Sequence, residues 1–250
     1  MRADQLLVEK GLASSRSQAQ RLIASGVRWL DRGAWTPVRK NGDEIDTDAQ
    51  IELLDLAEAR YVSRGGLKLE GALKAASIDV AGWRCLDVGQ STGGFTDCLL
   101  RHGAAQVTGV DVGSAQLHER MRSDPRVVVL EKVNARELSA DQVGDEFDLV
   151  TADLSFISLT LVLPALVPLL ANGGALLLLV KPQFELQPGQ VGKRGIVTDT
   201  SLYAVVEKRI RDCCAALGLQ AEGWYDSPVT GGDGNHEFFV HARRAAGRAA

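Results

Sequence analysis

Residues 86–100 read LDVGQSTGGFTDCLL. A short apolar run passes into a glycine-rich turn and emerges into sequence of helical character. After the first strand of a sheet wound on both sides, such a turn lies where these folds bind ligands, at the carboxyl ends of the strands. The pattern is not G-x-G-x-x-G. It consists of Asp87, Gly89, Gly93 and Gly94, with Ser91 and Thr92 between them and Phe95 following. The G-K-[ST] of a phosphate loop is also missing.

Outward from this turn the chain alternates between two periodicities. Strands are expected at 84–89, 106–112, 127–132, 148–154 and 175–181, and helices at 93–102, 115–122, 158–171 and 201–217. Two further strands, 219–227 and 236–243, follow one another directly. Alternation of strand and helix predicts an α/β fold with a doubly wound, Rossmann-like parallel sheet. The last two strands predict an antiparallel hairpin at one edge. Leu159–Val180 is apolar and long enough to cross a bilayer, but Pro164, Pro168 and Asn172-Gly173-Gly174 divide it. It reads as a buried helix stopped at Asn172-Gly173-Gly174, then a buried strand.

The strand ends carry the chemistry. An acid leading a glycine turn without a pyrophosphate cradle suits a ligand with a cationic centre. S-adenosylmethionine offers a sulfonium, an amino acid end and an adenosine. Asp111, in GVDV at the end of the second strand, is placed to bind ribose hydroxyls, and Asn134 after the third to read the adenine edge. A structural turn capped by an aspartate is the alternative. TADLSFISL brings Asp153 to the end of strand four, and ALLLLVKPQFE (175–185) carries Lys181 to the end of strand five. GGDGNHEFFVH puts Glu237 at the start of the last strand, and SRGGLKLEGAL puts Lys68 on a helix entering the domain. Singly, each could be a solvated charge, and Glu185 could replace Glu237 as the partner of Lys181.

The 250-residue chain suits one large domain, or one with a small appendage. Its four cysteines form no C-x-x-C pair, which excludes a zinc framework or disulfide scaffold and fits a reducing cytosol. The net charge of −4 is unevenly spread: residues 1–40 hold eight lysines and arginines against three acids, and 41–60 hold seven acids against one arginine. The basic block is a candidate phosphate footprint, with a solvated helix face as the alternative that charge alone leaves open. Within it, Gly11 ends a first short helix and Ser14 or Ser15 caps a second, ended by Gly26. Short β-like pieces follow.

LLVEKGLASSRSQAQRLIASG (6–26), with the sheet after it, resembles the S4 RNA-binding domain. That resemblance makes Arg2, Arg16, Gln20, Arg21 and Arg64 candidate RNA contacts. Trp29, Asp31 and Trp35 depart from its pattern. The order Lys68, Asp153, Lys181, Glu237 resembles the catalytic tetrad of FtsJ-like ribose 2′-O-methyltransferases. Together with the S4 module, SRGGLKLEGAL, STGGFTD, DLSFISL, VKPQFE and NHEFF resemble the TlyA (haemolysin A) family of ribosomal RNA methyltransferases.

The resemblance implies an S4-like domain at 1–60, a linker and entry helix at 61–82 and a methyltransferase domain at 83–250. It implies S-adenosylmethionine-dependent methylation of a ribose 2′-hydroxyl, by default a cytidine's, in ribosomal RNA or ribosomal subunits, in the cytoplasm. It further implies that Lys181, held between Asp153 and Glu237, orients the hydroxyl and favours its deprotonation, while Lys68 adds positive charge. Neither a metal nor a membrane is expected. Gln90 and Ser114 depart from the family pattern and are expected to border the cofactor pocket. The rival readings are an inactive RNA-binding protein of the same fold, a base methyltransferase and a membrane-active haemolysin.

Overall fold

The computed structural model describes residues 1–54, 60–231 and 234–244. The chain divides into two compact units, Met1–Leu67 and Lys68–Ala250. Residues 55–59, which precede the expected linker, lie outside the described residues.

In the first unit, α1 (Ala3–Glu9) and α2 (Arg16–Gly26) precede β1 (Val27–Asp31), β2 (Ala34–Pro37) and β3 (Ile51–Leu53). Gly11, at φ +69°, ends the first helix in the left-handed conformation that glycine tolerates. Of the two candidate caps, Ser15 accepts from the Gln18 N–H at 3.3 Å, and the Ser14 hydroxyl instead donates to the Gln18 amide oxygen. Leu6, Leu7, Leu22 and Ile23 come from one face of each helix and are buried with Val27, Val38 and Ile45. The strands form an antiparallel sheet in the order β2-β1-β3.

The second unit is built on seven strands. They are β4 (Arg84–Val88), β5 (Gln106–Asp111), β6 (Val127–Glu131), β7 (Phe147–Ala152), β8 (Leu170–Val180), β9 (Leu219–Asp226) and β10 (Phe238–Arg244). Their order is β6-β5-β4-β7-β8-β10-β9, with only β10 antiparallel to its neighbours. The chain runs outward from β4 to β6, then returns to β7 on its other side. This reversal opens a crevice at the carboxyl ends of β4, β5 and β7. The central strands are covered on both faces: Leu176–Val180 are at most 1% exposed, and each such side chain contributes roughly 1.5–3 kcal/mol of burial. The helices are α3 (Gly65–Ala75), which carries Lys68, α4 (Gly94–Arg101), α5 (Glu119–Arg122), α6 (Ala140–Val143), α7 (Leu163–Leu166), α8 (Pro182–Glu185) and α9 (Leu202–Ala216).

Three elements differ from expectation. Residues 158–171 do not form one helix. They break into single turns at Leu159–Leu161, Leu163–Leu166 and Val167–Leu169, because Pro164 and Pro168 cannot donate to an α-helical ladder. Nor does Asn172-Gly173-Gly174 separate helix from strand. Strand β8 has already begun at Leu170, and the register with β7 slips from Phe147↔Leu170 to Leu149↔Ala175. The intervening residues form a bulge in which Gly173 sits at φ +78°. The helix expected at 115–122 shortens to α5. Among the described residues, no helix is long and apolar enough to cross a membrane, and no group of three or more His, Cys, Asp or Glu could hold a metal.

Candidate active site

A cavity of about 470 Å³ lies in the crevice, lined among others by Gly89, Ser91, Asp111, Asn134, Asp153 and Phe156. That size is within the range of small-molecule sites. Gly89, at φ +83°, is where the turns after β4 and β7 meet. A Cβ added there would lie 2.5 Å from the Asp153 carbonyl oxygen. Only glycine keeps that wall thin. Asp111 is held from both sides, one oxygen accepting from the Ser91 N–H and the other from the Gly113 N–H, each at 2.7 Å. The Asn134 amide caps the turn that follows, accepting from the Arg136 N–H and donating to Glu137.

The rest of the expected cofactor set builds the turn without lining the cavity. Thr92 accepts from the His118 N–H, Gly93 is left-handed against Leu117, and Gly94 and Phe95 begin α4, where Phe95 stacks on Phe239. Asp87 does not face a ligand's cationic centre. It is completely buried and accepts hydrogen bonds from the Thr96 hydroxyl at 2.7 Å and, more weakly, from that of Thr151. Burial pushes its carboxyl up to about 7, against the opposing pull of the Thr96 hydrogen bond. Gln90 is not at the cavity either. Its amide donates to Thr96 and packs over Gly109, where a Cβ would lie 1.9 Å from it. Ser114 is exposed and does not line the cavity.

Beside the cavity four charged residues form two pairs. The Lys181 ammonium lies 2.6 Å from Asp153, too poorly aligned for a hydrogen bond, and donates to the Ser155 hydroxyl at 3.0 Å. The Lys68 ammonium donates to Glu237 at 2.5 Å, and both residues are buried. Glu237 was expected to hold Lys181 from its second side; it pairs with Lys68 instead, and among the described residues no ion pair joins it to Lys181. Strand register explains the juxtaposition. Val180 faces Phe238 across β8 and β10, so Lys181 and Glu237 occupy the next position of that register. Asp153 directly follows β7, its N–H bound to the Val88 carbonyl. Glu185 is not the substitute partner either: its carboxylate accepts from the Ser158 hydroxyl and the Leu159 N–H and ties down that turn.

Two features escaped the sequence reading. Phe156 lines the cavity with its side chain 91% exposed, at φ +64°, its ring against Phe184. A large aromatic beside Asp153 in DLSFIS was the available signal. Gly231 makes room for Glu237, since a Cβ there would lie 2.6 Å from the carboxylate. No local pattern announces that.

In the first unit, Arg2, Arg16 and Gln20 converge on Asp4. Arg21 and Arg64 are partly buried. The unexpected Trp35 lies under the Arg28 guanidinium, 5.0 Å from ring to cation, and Arg28 is paired with Glu52.

A sheet in this strand order, with a glycine turn after its first strand and an acid after its second, defines a methyltransferase-type fold. A solved S-adenosylmethionine-dependent methyltransferase from Mesorhizobium loti shares it, at 19% identity and TM-score 0.52, over 70% of this chain and 96% of that one. The profile of the FtsJ-like methyltransferases matches residues 61–244, and that of the S4 domain residues 1–26. The chain belongs to the FtsJ-like methyltransferase family and, within it, to the haemolysin A (TlyA) group. It is 46% identical to the 16S/23S rRNA (cytidine-2′-O)-methyltransferase TlyA of Mycobacterium tuberculosis, over 99% of this chain and 91% of that protein. It is 37% identical to Hemolysin A of Brachyspira hyodysenteriae, over 96% and 99%. A solved chain from Streptococcus thermophilus is 39% identical, with TM-score 0.76, over 98% of this chain and 88% of that one.

Proposed function

We propose that the protein methylates a ribose 2′-hydroxyl in ribosomal RNA, a cytidine's by likeness to the curated relatives, with S-adenosylmethionine as donor. The observation that carries this is the double lysine–carboxylate arrangement at adjoining strand ends beside a glycine-walled cavity.

The cavity fits the donor. Asp111 presents a carboxylate already oriented by two backbone N–H groups, as a ribose diol requires, and the wall at Gly89 lets a ligand approach the backbone. Asn134 and Ser91 complete the nucleoside side. When bound, the cofactor supplies a methyl group on a cationic sulfur.

A ribose hydroxyl is a poor nucleophile until its proton is drawn away or the growing oxyanion is stabilised. An ammonium has three donors. Lys181 directs one to Ser155 and is electrostatically fixed by Asp153, which leaves it free to donate to the 2′-oxygen. Charge growing on that oxygen then meets a cation that needs no reorganisation. Asp153 lies 2.6 Å from the same ammonium with a buried oxygen that accepts no hydrogen bond, so a carboxylate is at hand to take the hydroxyl proton. Lys68 and Glu237 brace the second side of the strand ends as a buried ion pair. The exposed ring of Phe156 offers a face on which an unstacked base can rest, a contact worth about 1–3 kcal/mol.

The test is methyl transfer from labelled S-adenosylmethionine to purified ribosomal subunits and to free ribosomal RNA, with Lys181→Ala beside the wild type. Label that resists alkali and vanishes in the variant is expected. Label on a base, or label indifferent to the substitution, refutes the assignment. Cofactor binding without transfer to any subunit favours the inactive RNA-binding reading.

A further inference from the structure

Asp4 is a charged side chain with no solvent exposure in the first turn of α1. A carboxylate there ordinarily caps free backbone N–H groups. This one does not: its hydrogen-bond partners are side chains. One oxygen accepts from Arg2 Nε at 3.1 Å. The other accepts from Arg2 Nη2 at 3.2 Å, Arg16 Nη2 at 2.8 Å and Gln20 Nε2 at 3.3 Å. The hydrogen bond from Arg2, helped by those from Arg16 and Gln20, holds the carboxyl well below the usual range despite burial. Arg16 and Gln20 are one helical turn apart on α2, so both reach the same point. Each guanidinium has five N–H donors in a rigid fork and commits only part of it to Asp4. The side chains of Arg2 and Arg16 remain 44% and 55% exposed.

We propose that Asp4 is a positioning residue for RNA, fixing Arg2, Arg16 and Gln20 so that their free edges meet phosphodiester oxygens without further ordering. This rests on the ribosomal RNA reading above. The contrary view is that Asp4 only neutralises the arginines. The two views give opposite signs, which makes them separable. Asp4→Asn removes a negative charge from the patch. If charge alone governs, RNA binds more tightly and its salt dependence steepens. If positioning governs, RNA must itself order two long side chains, each weakening binding several-fold, so affinity falls about tenfold for the pair.

Binding of purified bacterial ribosomal RNA to the full chain is measured across a salt series, with thermal unfolding of every variant. Expected for Asp4→Asn is about tenfold weaker binding, with an unchanged slope of log K against log salt and a loss that appears in KM for RNA rather than kcat. Arg16→Lys, which retains the charge but loses the fork, is a second reading that does not depend on Asp4→Asn folding. It is expected to bind several-fold more weakly at equal slope. Affinity equal to or above wild type in either variant overturns the proposal while leaving the RNA reading intact. A wild-type protein with no salt-dependent affinity for the RNA overturns both.

Discussion

Glu237→Gln separates the structural from the catalytic contribution of the Lys68–Glu237 pair. The two side chains are 10% and 3% exposed and 2.5 Å apart. Removing one partner of a buried pair leaves the other charge uncompensated, at a cost of about 3–5 kcal/mol. Glutamine keeps an acceptor in the same place, and a retained hydrogen bond recovers about 1 kcal/mol. The variant should therefore lose about 2–4 kcal/mol. For a unit of this size that lowers Tm by roughly 5–15 °C. Lys68→Met should cost at least as much, because it strands the Glu237 carboxylate. The double variant Lys68→Met/Glu237→Gln leaves no stranded charge and should regain most of the loss, a coupling of about 2 kcal/mol or more. Activity should not return with it. Each single variant and the double should stay about 10²–10³-fold below wild type in kcat, the usual cost of removing a placed charge from a reacting centre. The assay is calorimetric unfolding of the four proteins alongside methyl transfer to ribosomal subunits. Additive destabilisation in the double variant would refute the pairing. Recovery of activity together with stability would show that the pair only holds the fold.

Asp87 should make stability depend on pH. Its carboxyl is raised from 3.8 to about 7, so within that window the folded chain keeps a proton that the unfolded chain releases. Its stabilising contribution is therefore present on the acid side and is lost as pH rises through the window. The Tm advantage of wild type over Asp87→Asn should shrink from pH 4 to pH 7 and stay level above it; a gap that widens would contradict the burial. Gly89→Ala combines a left-handed backbone with a 2.5 Å approach to the Asp153 carbonyl. It should cost about 1–2 kcal/mol from the backbone alone and weaken cofactor binding, measured by unfolding and by calorimetric titration. Asp111→Ala removes the acceptor for two N–H groups and, on the proposed reading, the diol contact. The cofactor Kd should rise roughly ten- to a hundredfold, and an unchanged Kd would place the nucleoside elsewhere.

Much of this molecule was legible because its signals are local. The glycine turn at 89–94, Asp111 at the end of β5, the serine cap of α2 and the apolar run delivering Lys181 to a strand end each follow from neighbouring residues and a fixed period. Backbone sterics and alternation are short-range physics, so they can be read from a linear chain. Alternation of strand and helix likewise determined the doubly wound sheet, and consecutive strands at its end determined the antiparallel β10.

Other features belong to the tertiary structure alone. Lys68 meets Glu237 across 169 positions of chain, and although the register of β8 with β10 sets Glu237 level with Lys181, its carboxylate pairs with Lys68 brought in by α3. Asp87 leads the turn as a ligand-facing acid would, yet the packing of Thr96 and Thr151 turns it into the interior. Asp4 looks like one acid in a basic block until Arg2, just before α1, and Arg16 and Gln20 of α2 converge on it. Asn172-Gly173-Gly174 has the composition of a break, but β7 had already paired with Leu170 and turned it into a bulge. Sequence by itself determined which residues stand at strand ends and turns. Which charge neutralises which was decided only by folding, because hydrogen bonding and ion pairing act over a few ångströms of space and take no account of separation along the chain.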